Sequence, residues 1–288
     1  MKILVYGAGV TGSVFSARLH EAGHDVSLLA RGERLADLRE HGVLLAEGAS
    51  PDVRRVWVPV VEHPTGGYDL IAVCVRTHQV DAVLESLAGL EGDALFMLNW
   101  AAGPEPLAAA IGRERVLLGY ATEAGTMDGE VVRHRATSLI TRLVTMPFGE
   151  PDGRTTPRLE RIVQTFRSAG INAKAEPQMD AWLKTHAAFE VPLGQAVKAA
   201  GGLEALAGNP DAIRNMIRLL RQNLANMPTR PVPRAFNLLR TVPEGVLVAL
   251  FRGFLRSPAA APLGTPDPAS TAELDRMAEQ LRANVRSR

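Results

Sequence analysis

A glycine-rich turn near the amino terminus constrains the fold of this chain more than any other stretch. Residues 2–6 are aliphatic and β-branched, which is typical of a buried strand. This run leads into Gly7-Ala8-Gly9-Val10-Thr11-Gly12, and residues 13–22 continue with a helical pattern. A strand, a G-x-G-x-x-G turn and a helix in this order predict the start of a dinucleotide-binding sheet.

Each glycine has a separate role in this prediction. Gly7 permits the tight turn, Gly9 lets the backbone approach a pyrophosphate, and Gly12 lets helix and strand pack closely. The pyrophosphate is expected at the N–H groups and positive dipole end of the helix. The predicted cofactor-binding residues of this turn are Gly7, Ala8, Gly9, Val10, Thr11 and Gly12. One alternative is an ordinary tight turn. Another is a secretory signal peptide, and the charged residues Arg18 and Glu21 on the helix argue against it.

Composition excludes several other kinds of protein. The chain has 288 residues, of which 46% are hydrophobic and 22% charged, as in a globular protein of about two domains. A net charge of +1 gives no support for a nucleic-acid or membrane partner. The single cysteine, Cys74, indicates a reducing compartment, so we expect a cytoplasmic location. We also expect a monomer or a homodimer. The histidines show no metal-ligand spacing, and no metal is predicted.

The end of the second strand predicts which nicotinamide cofactor binds. Residues 25–29 form this strand, and Arg31 follows where an NAD enzyme would place an acidic residue for the ribose hydroxyl. A guanidinium suits a 2′-phosphate, so Arg31, with Arg34 one turn on, favours NADP(H). The alternatives are a solvated loop arginine, or Glu33 serving a 2′-hydroxyl.

Two further strands end in polar residues. Residues 68–75 form a buried strand that leads into Arg76-Thr77-His78-Gln79, and residues 94–98 lead into Asn99-Trp100. Ligands of parallel sheets bind at the carboxyl ends of their strands, so these segments are candidate site residues. Residues 121–148 have a β-rich pattern and are expected to add antiparallel strands to the same sheet.

The chain after residue 178 has an almost wholly helical pattern. Asn209-Pro210 is typical of a helix start, and Thr241-x-x-Glu244 and Ser270-x-x-Glu273 match capping boxes. We therefore predict an NADP-binding domain over residues 1–175 and a helical substrate or closure domain over residues 176–288.

Seven motifs follow one another along the chain. They are Gly7 to Gly12, Leu28-Leu29-Ala30-Arg31-Gly32, Val75-Arg76-Thr77-His78-Gln79, Leu98-Asn99, residues 116–125, Phe148-Gly149-Glu150 and Trp182-Leu183-Lys184. In this order they resemble the ketopantoate reductase (2-dehydropantoate 2-reductase) family, and the resemblance covers residues 1 to about 195. It implies a Rossmann-type doubly wound α/β sheet with added antiparallel strands, an all-α C-terminal domain, NADP(H), and a small 2-keto acid bound under the helical domain.

The resemblance also implies roles for individual residues. Arg76 takes the place of a family lysine near the cofactor, and Thr77, Gln79 and Asn99 join the predicted cofactor-binding residues. Asn99 matches an asparagine beside the nicotinamide and substrate, although Trp100 replaces the usual glycine and is expected to crowd the site. Lys184 matches the catalytic lysine, so Lys184 and Asn99 are the predicted catalytic residues.

The chemistry of carbonyl reduction accounts for the lysine. Hydride addition to a keto carbon develops negative charge on oxygen, which an ammonium stabilises and protonates. Asp180 lies four residues before Lys184 and is expected to pair with it on the helix. The alternative is a surface ion pair of little energetic weight.

Departures from the family pattern concern substrate recognition. Ala188 stands where the family has an asparagine, and a second asparagine falls at Val191 or Pro192. The family's substrate-binding Ser and Glu have no counterpart, since Glu273 is better explained as a cap. These losses argue against ketopantoate itself, because a site built for polar groups discriminates by them.

Three functions follow from these residues. The first is an NADPH-dependent reductase of a small 2-keto acid or other carbonyl compound, not specific for ketopantoate. The second is a non-catalytic NADP(H)-binding sensor or regulatory protein, and the third is an opine-type dehydrogenase. His186 and Glu190 are candidate replacement residues, and we expect both to be structural.

Overall fold

The computed structural model describes residues 1–123, 125–135, 144–257, 259–260 and 268–286. It divides into two compact units. The first consists of Met1–Leu98 with Pro104–Met179, and the second of Asn99–Gly103 with Asp180–Arg288. Among the described residues, no helix combines the length and apolar character needed to span a bilayer.

The first unit alternates strands with helices, as its sequence pattern predicts. Its strands are β1 Lys2–Tyr6, β2 Asp25–Leu29, β3 Val43–Glu47, β4 Arg54–Val56, β5 Val60–Val61, β6 Gly67–Val73, β7 Glu91–Met97, β8 Val116–Gly119, β9 Gly125–Asp128, β10 Val131–His134, β11 Met146–Gly149 and β12 Ala173–Ala175. Its helices are α1 Val10–Glu21, α2 Gly32–His41, α3 Val80–Ala88, α4 Glu105–Ile111 and α5 Pro157–Ser168, with 3-10 turns at Thr77–Gln79 and Arg113–Arg115.

The main sheet has eight strands in the order β12-β11-β8-β7-β6-β1-β2-β5. All neighbours from β8 to β5 are parallel, which confirms the predicted doubly wound α/β class. The register pairs Tyr6 with Leu29 on one side and with Val73 on the other. The segments that follow β1, β2 and β6 therefore leave the same edge of the sheet, where the strand order reverses.

The strands predicted over residues 121–148 do not all join the main sheet. Only β11 adds an antiparallel strand there, beside β8. The hairpin β9–β10 instead pairs β10 with β3, giving a separate four-stranded sheet of order β4-β3-β10-β9. Alternation predicts a strand but not its edge partner, and here buried Val132 of β10 joins the same core as Val43 and Leu45. Residues 136–143 lie outside the described residues.

An ion network joins α5 to the sheet and explains the Phe148-Gly149-Glu150 motif. A β-carbon at Gly149 would lie 2.4 Å from the Glu176 carbonyl oxygen, so only glycine fits. Glu150 is 4% exposed and accepts hydrogen bonds from Arg158, whose Nε lies 2.8 Å from Oε1. Arg158 also donates to Asp93 at 2.8 Å and to the Val116 carbonyl oxygen at 3.3 Å.

We expect Arg158→Met to lower the free energy of unfolding by about 3–5 kcal/mol, because it leaves the buried Glu150 carboxylate without its cation. Urea denaturation followed by circular dichroism measures the change. Arg154→Met is the matched control, since Arg154 pairs with Asp152 at an exposed position and should leave the midpoint unchanged. An Arg158→Met midpoint equal to that of the wild type would show that the network does not stabilise the fold.

The second unit is helical, as predicted. Its helices are α6 Met179–Ala200, α7 Leu203–Gly208, α8 Pro210–Ala225, α9 Leu238–Thr241, α10 Glu244–Leu255 and α11 Pro268–Arg286, with a 3-10 turn at Arg234–Asn237. The start of α8 follows the prediction, since Asn209 Oδ1 accepts from the Ala212 amide at 3.0 Å.

The two predicted capping boxes are wrong. Thr241 ends α9, and its hydroxyl donates to the Leu238 carbonyl oxygen at 3.3 Å. Pro243 caps α10, so Glu244 is the first helical residue instead of the third. Ser270 and Glu273 both lie inside α11. The spacing of a capping box recurs by chance wherever Ser or Thr precedes Glu, and a proline or an earlier helix start overrides it.

Candidate functional site

The glycine turn has the conformation that its sequence predicts. Gly7 has a φ of +111°, and a β-carbon there would lie 2.6 Å from the Cys74 carbonyl oxygen. A β-carbon at Gly12 would lie 1.8 Å from the Gly7 carbonyl oxygen, so helix and turn are in direct contact. A β-carbon at Gly9 would meet no atom within 4 Å. Gly7 and Gly12 are therefore required by the fold, whereas Gly9 leaves open space above the backbone.

Helix α1 begins directly at this open space. Gly9 is its N-cap residue, and Val10, Thr11 and Gly12 form its first turn. The first amide groups of a helix have no acceptor within the helix, and they lie at the positive end of its dipole. This geometry fits the pyrophosphate of a dinucleotide, which binds through oxygen atoms that accept such bonds.

The guanidinium of Arg34 is hydrogen-bonded to the glycine turn and is therefore not available for a ligand. Its Nε donates to the Ala8 carbonyl oxygen at 3.3 Å, and its other nitrogens donate to the Glu130 carbonyl oxygen and to the Ser13 hydroxyl. Burial lowers the pKa of Arg34, while Asp37 and Glu130 oppose that shift. This role depends on contacts distant in sequence, which is why the sequence pattern did not predict it.

Arg31 and the turn after β6 lie at the carboxyl edge of the main sheet. Arg31 is exposed, and its guanidinium donates to the Tyr6 hydroxyl at 3.2 Å. Gln79 Oε1 accepts from the Arg76 amide at 3.0 Å, so this side chain caps the turn Thr77–Gln79. Thr77 is 1% exposed. Beside this turn, burial raises the pKa of the Cys74 thiol to about 12, so that thiol is unreactive at neutral pH.

Lys184 is held by Asp180 on the first turns of α6, as their spacing predicts. Lys184 Nζ lies 2.6 Å from Asp180 Oδ2, and Lys184 is only 9% exposed. The other oxygen, Asp180 Oδ1, is buried without a hydrogen-bond partner among the described residues. A buried ammonium with one carboxylate partner has further N–H bonds to donate, since an ammonium has three.

Helix α6 continues through Pro192. Proline has no N–H group for the carbonyl four residues earlier, and Asn223 Nδ2 donates to that Ala188 oxygen at 3.4 Å instead. Ala188, at the position of the family's asparagine, is fully buried and packs in the core of the helical unit. Its side chain is therefore a core group in this chain.

His186 and Glu190 form a local pair on the same helix. His186 Nε2 lies 2.7 Å from Glu190 Oε2, and the imidazole stacks on Trp182 with ring centroids 5.3 Å apart. Their i,i+4 spacing explains the contact without a ligand.

The segment Asn99–Gly103 belongs to the helical unit and is fixed by residues that the sequence pattern did not predict. The Ala101 amide donates to Gln280 Oε1 at 2.9 Å, and the Ala101 carbonyl oxygen accepts from Asn284 Nδ2 at 2.7 Å. Asn99 is half-buried with its amide oxygen inside. Gln280 is 5% exposed on α11, and a polar residue amid the apolar positions of that helix was the available signal.

Trp100 is buried in its own loop. Its indole N–H donates to the Gly103 carbonyl oxygen at 2.6 Å. The side chain thus satisfies its polar group within four residues and stiffens the segment that carries Asn99.

A cavity of about 430 Å³ lies within the helical unit. Helices α6, α8 and α11 form most of its wall. The lining residues are Lys184, Val191, Pro192, Gln195, Leu219, Gln222, Asn223, Asn226, Met227, Pro228, Ala278, Leu281, Arg282 and Asn284. This volume lies in the range of small-molecule sites, and amide and cationic groups alternate with apolar ones.

The main sheet, its glycine turn at the switch point and the helical unit define a dinucleotide-binding Rossmann-type protein. Residues 3–144 match the family model described as ketopantoate reductase PanE/ApbA. This stretch is just under half of the chain, and it is similar to the ketopantoate reductase family.

Two curated relatives are similar to this chain over most of its length. The chain is 29% identical over 192 residues to an uncharacterized oxidoreductase, YkpB, of Bacillus subtilis, covering 64% of this chain and 61% of YkpB. It is 26% identical over 211 residues to a 2-dehydropantoate 2-reductase of Mesorhizobium japonicum, covering 64% and 63%. The alignments thus span about three-fifths of these relatives' own length.

The fold likeness extends over the whole chain. The ternary structure of D-mandelate dehydrogenase with NADH and anilino(oxo)acetate matches with a TM-score of 0.72 at 16% identity, covering 100% of this chain and 99% of that one. The 2-dehydropantoate 2-reductase of Porphyromonas gingivalis W83 matches with a TM-score of 0.69 at 17% identity, covering 98% and 99%. At this identity the likeness shows the fold alone.

Proposed function

We propose that this protein is an NADP(H)-dependent oxidoreductase that reduces the carbonyl group of a small 2-keto acid or related compound, without specificity for ketopantoate. The observation that carries the proposal is the position of Lys184. Its ammonium is nearly buried, is held by Asp180, and lines a cavity of small-molecule size. The match of residues 3–144 to the family model and the open space over Gly9 support a nicotinamide cofactor as the reductant.

The residues proposed to hold the cofactor follow from the first unit's sheet edge. The glycine turn from Gly7 to Gly12 would bind the pyrophosphate, and Arg31 the 2′-phosphate. Arg76, Thr77, Gln79 and Asn99 complete the proposed set, with Thr77 and Gln79 acting mainly by shaping their turn. When bound, reduced nicotinamide supplies the hydride.

The chain's own residues supply the rest of the chemistry. Lys184 Nζ would donate a hydrogen bond to the carbonyl oxygen and then its proton, leaving a neutral amine that is reprotonated from solvent. Asp180 holds the ammonium in position before the reaction. Asn99 would donate its amide N–H to the same oxygen and so fix the reacting group, with its loop held by Gln280 and Asn284.

The substrate is proposed to be less polar than ketopantoate. Ala188 packs in the core, and apolar Val191, Leu219 and Leu281 line the cavity. D-mandelate dehydrogenase, a fold relative, was solved with anilino(oxo)acetate, which agrees with a 2-oxo compound bearing an apolar group.

A non-catalytic NADP(H)-binding sensor is the second candidate, and the burial of Ala188 favours it. A sensor would keep the cofactor turn and lose polar substrate groups in this way. NADPH oxidation with a panel of 2-keto acids, ketones and aldehydes distinguishes the two, since turnover supports the reductase and tight NADPH binding without turnover supports the sensor. A cytoplasmic location and a monomer or homodimer remain part of the proposal.

Arg31→Ala tests the choice of cofactor. We expect it to weaken NADPH binding about tenfold to hundredfold, because charge-assisted hydrogen bonds to the 2′-phosphate are lost, and to leave NADH binding unchanged. Titration of nicotinamide fluorescence gives both dissociation constants. Arg39→Ala, an exposed position on the same helix, is the matched control. An equal loss for both cofactors would contradict the role of Arg31.

A further inference from the structure

The lining of the helical cavity divides into groups that are already bonded and groups that are available. Lys184 is bonded to Asp180, Asn223 to the Ala188 carbonyl oxygen, and Asn284 to the Ala101 carbonyl oxygen. These three side chains therefore have fixed positions in the wall.

Four other polar side chains of the lining make no side-chain hydrogen bond or ion pair within the described part of the chain. They are Gln195, Gln222, Asn226 and Arg282. Gln222 lies in the last turn of α8, and Asn226, four residues on, is the residue that caps its end, so their amides lie on one side of that helix end. Arg282 approaches the same cavity from α11 and has no carboxylate partner among the residues that the structure describes.

The charge of the cavity is one-sided. Lys184 and Arg282 are its cations, and its lining contains no aspartate or glutamate within the described part of the chain. Because Asp180 neutralises Lys184, the guanidinium of Arg282 is the uncompensated charge. A planar guanidinium binds a carboxylate through two parallel hydrogen bonds, and neighbouring amides add further donors.

Resting on the proposed function, we infer that Arg282, with Gln222 and Asn226, binds the substrate carboxylate and sets specificity for monocarboxylate 2-keto acids with an apolar side chain. The apolar part of such an acid would contact Leu219, Val191 and Leu281, which line the same cavity. Arg282 is thus a binding residue, distinct from the proton donor Lys184.

The test compares a charged ligand with its neutral counterpart. Calorimetry measures binding of 4-methyl-2-oxopentanoate, phenylglyoxylate and their primary amides to the full chain, with and without NADPH. Arg282→Gln should weaken binding of both acids at least about tenfold and leave the amides unchanged, because only the acids use the guanidinium charge. Arg282→Lys should retain part of the affinity through its charge.

Controls separate this inference from the proposed function. Arg276→Gln changes a half-buried arginine of the same helix that pairs with Glu279 outside the cavity, and it should leave acid binding unchanged. Equal acid affinity in wild type and Arg282→Gln, equal losses for acids and amides, or no binding of either acid to the wild type would overturn the inference. Failure of the proposed function shows separately, as a wild type that oxidises no NADPH with any compound of the carbonyl panel.

Discussion

Replacing Lys184 by alanine should lower kcat for carbonyl reduction by about 10²–10⁴-fold, the contribution typical of a positioned general acid. Without the ammonium, the developing alkoxide loses both its electrostatic partner and its proton source. NADPH affinity should stay within about twofold of the wild type, because Lys184 is not among the residues proposed to hold the cofactor. Initial rates of NADPH oxidation and a fluorescence titration measure the two quantities.

Lys198 provides the matched control for this experiment. It is an exposed lysine on the same helix α6, and Lys198→Ala should leave both kcat and NADPH affinity unchanged. Thermal unfolding of Lys184→Ala is also needed, because the change leaves Asp180 without its cation. A folded Lys184→Ala protein with wild-type kcat would exclude Lys184 as the proton donor.

The glycine turn gives the second large effect, because two of its glycines have opposite surroundings. Gly9→Ala should leave the fold intact, since its methyl group meets open space, and should weaken NADPH binding at least about tenfold by obstructing the pyrophosphate. Gly12→Ala should instead destabilise the protein by about 1–3 kcal/mol or more, because its methyl group meets the Gly7 carbonyl oxygen.

Urea denaturation measures the stability of the two variants, and NADPH titration measures their affinity for the cofactor. Gly9→Ala changes affinity with little change in stability, and Gly12→Ala changes stability first. Wild-type NADPH affinity in Gly9→Ala would show that no pyrophosphate approaches this position.

Local features of the sequence were sufficient for part of this account. Gly7 and Gly12 follow from the backbone demands of one turn, and the pairing of Asp180 with Lys184 follows from helix geometry alone. The parallel sheet follows from buried strands that alternate with helices.

Features that depend on distant segments were missed. Gln280 and Asn284 bind Ala101, which lies 179 and 183 residues away along the chain. The sequence pattern places Arg34 beside Arg31 near a 2′-phosphate, but Arg34 donates a hydrogen bond to the Ala8 carbonyl oxygen instead. Tertiary packing also explains two other wrong predictions. These are the strand that pairs with the β9–β10 hairpin and the helix starts predicted at Thr241 and Ser270, where the local sequence allows more than one structure.

The most direct test of the account is hydride transfer itself. The protein is mixed with NADPH that carries deuterium at both hydrogen positions of nicotinamide C4 and with a panel of 2-keto acids, and products are examined by mass spectrometry. We expect the wild type to form a hydroxy acid that carries one deuterium. Lys184→Ala should bind NADPH but should not form this product. Tight NADPH binding with no deuterium in any product would contradict the reductase and support the sensor.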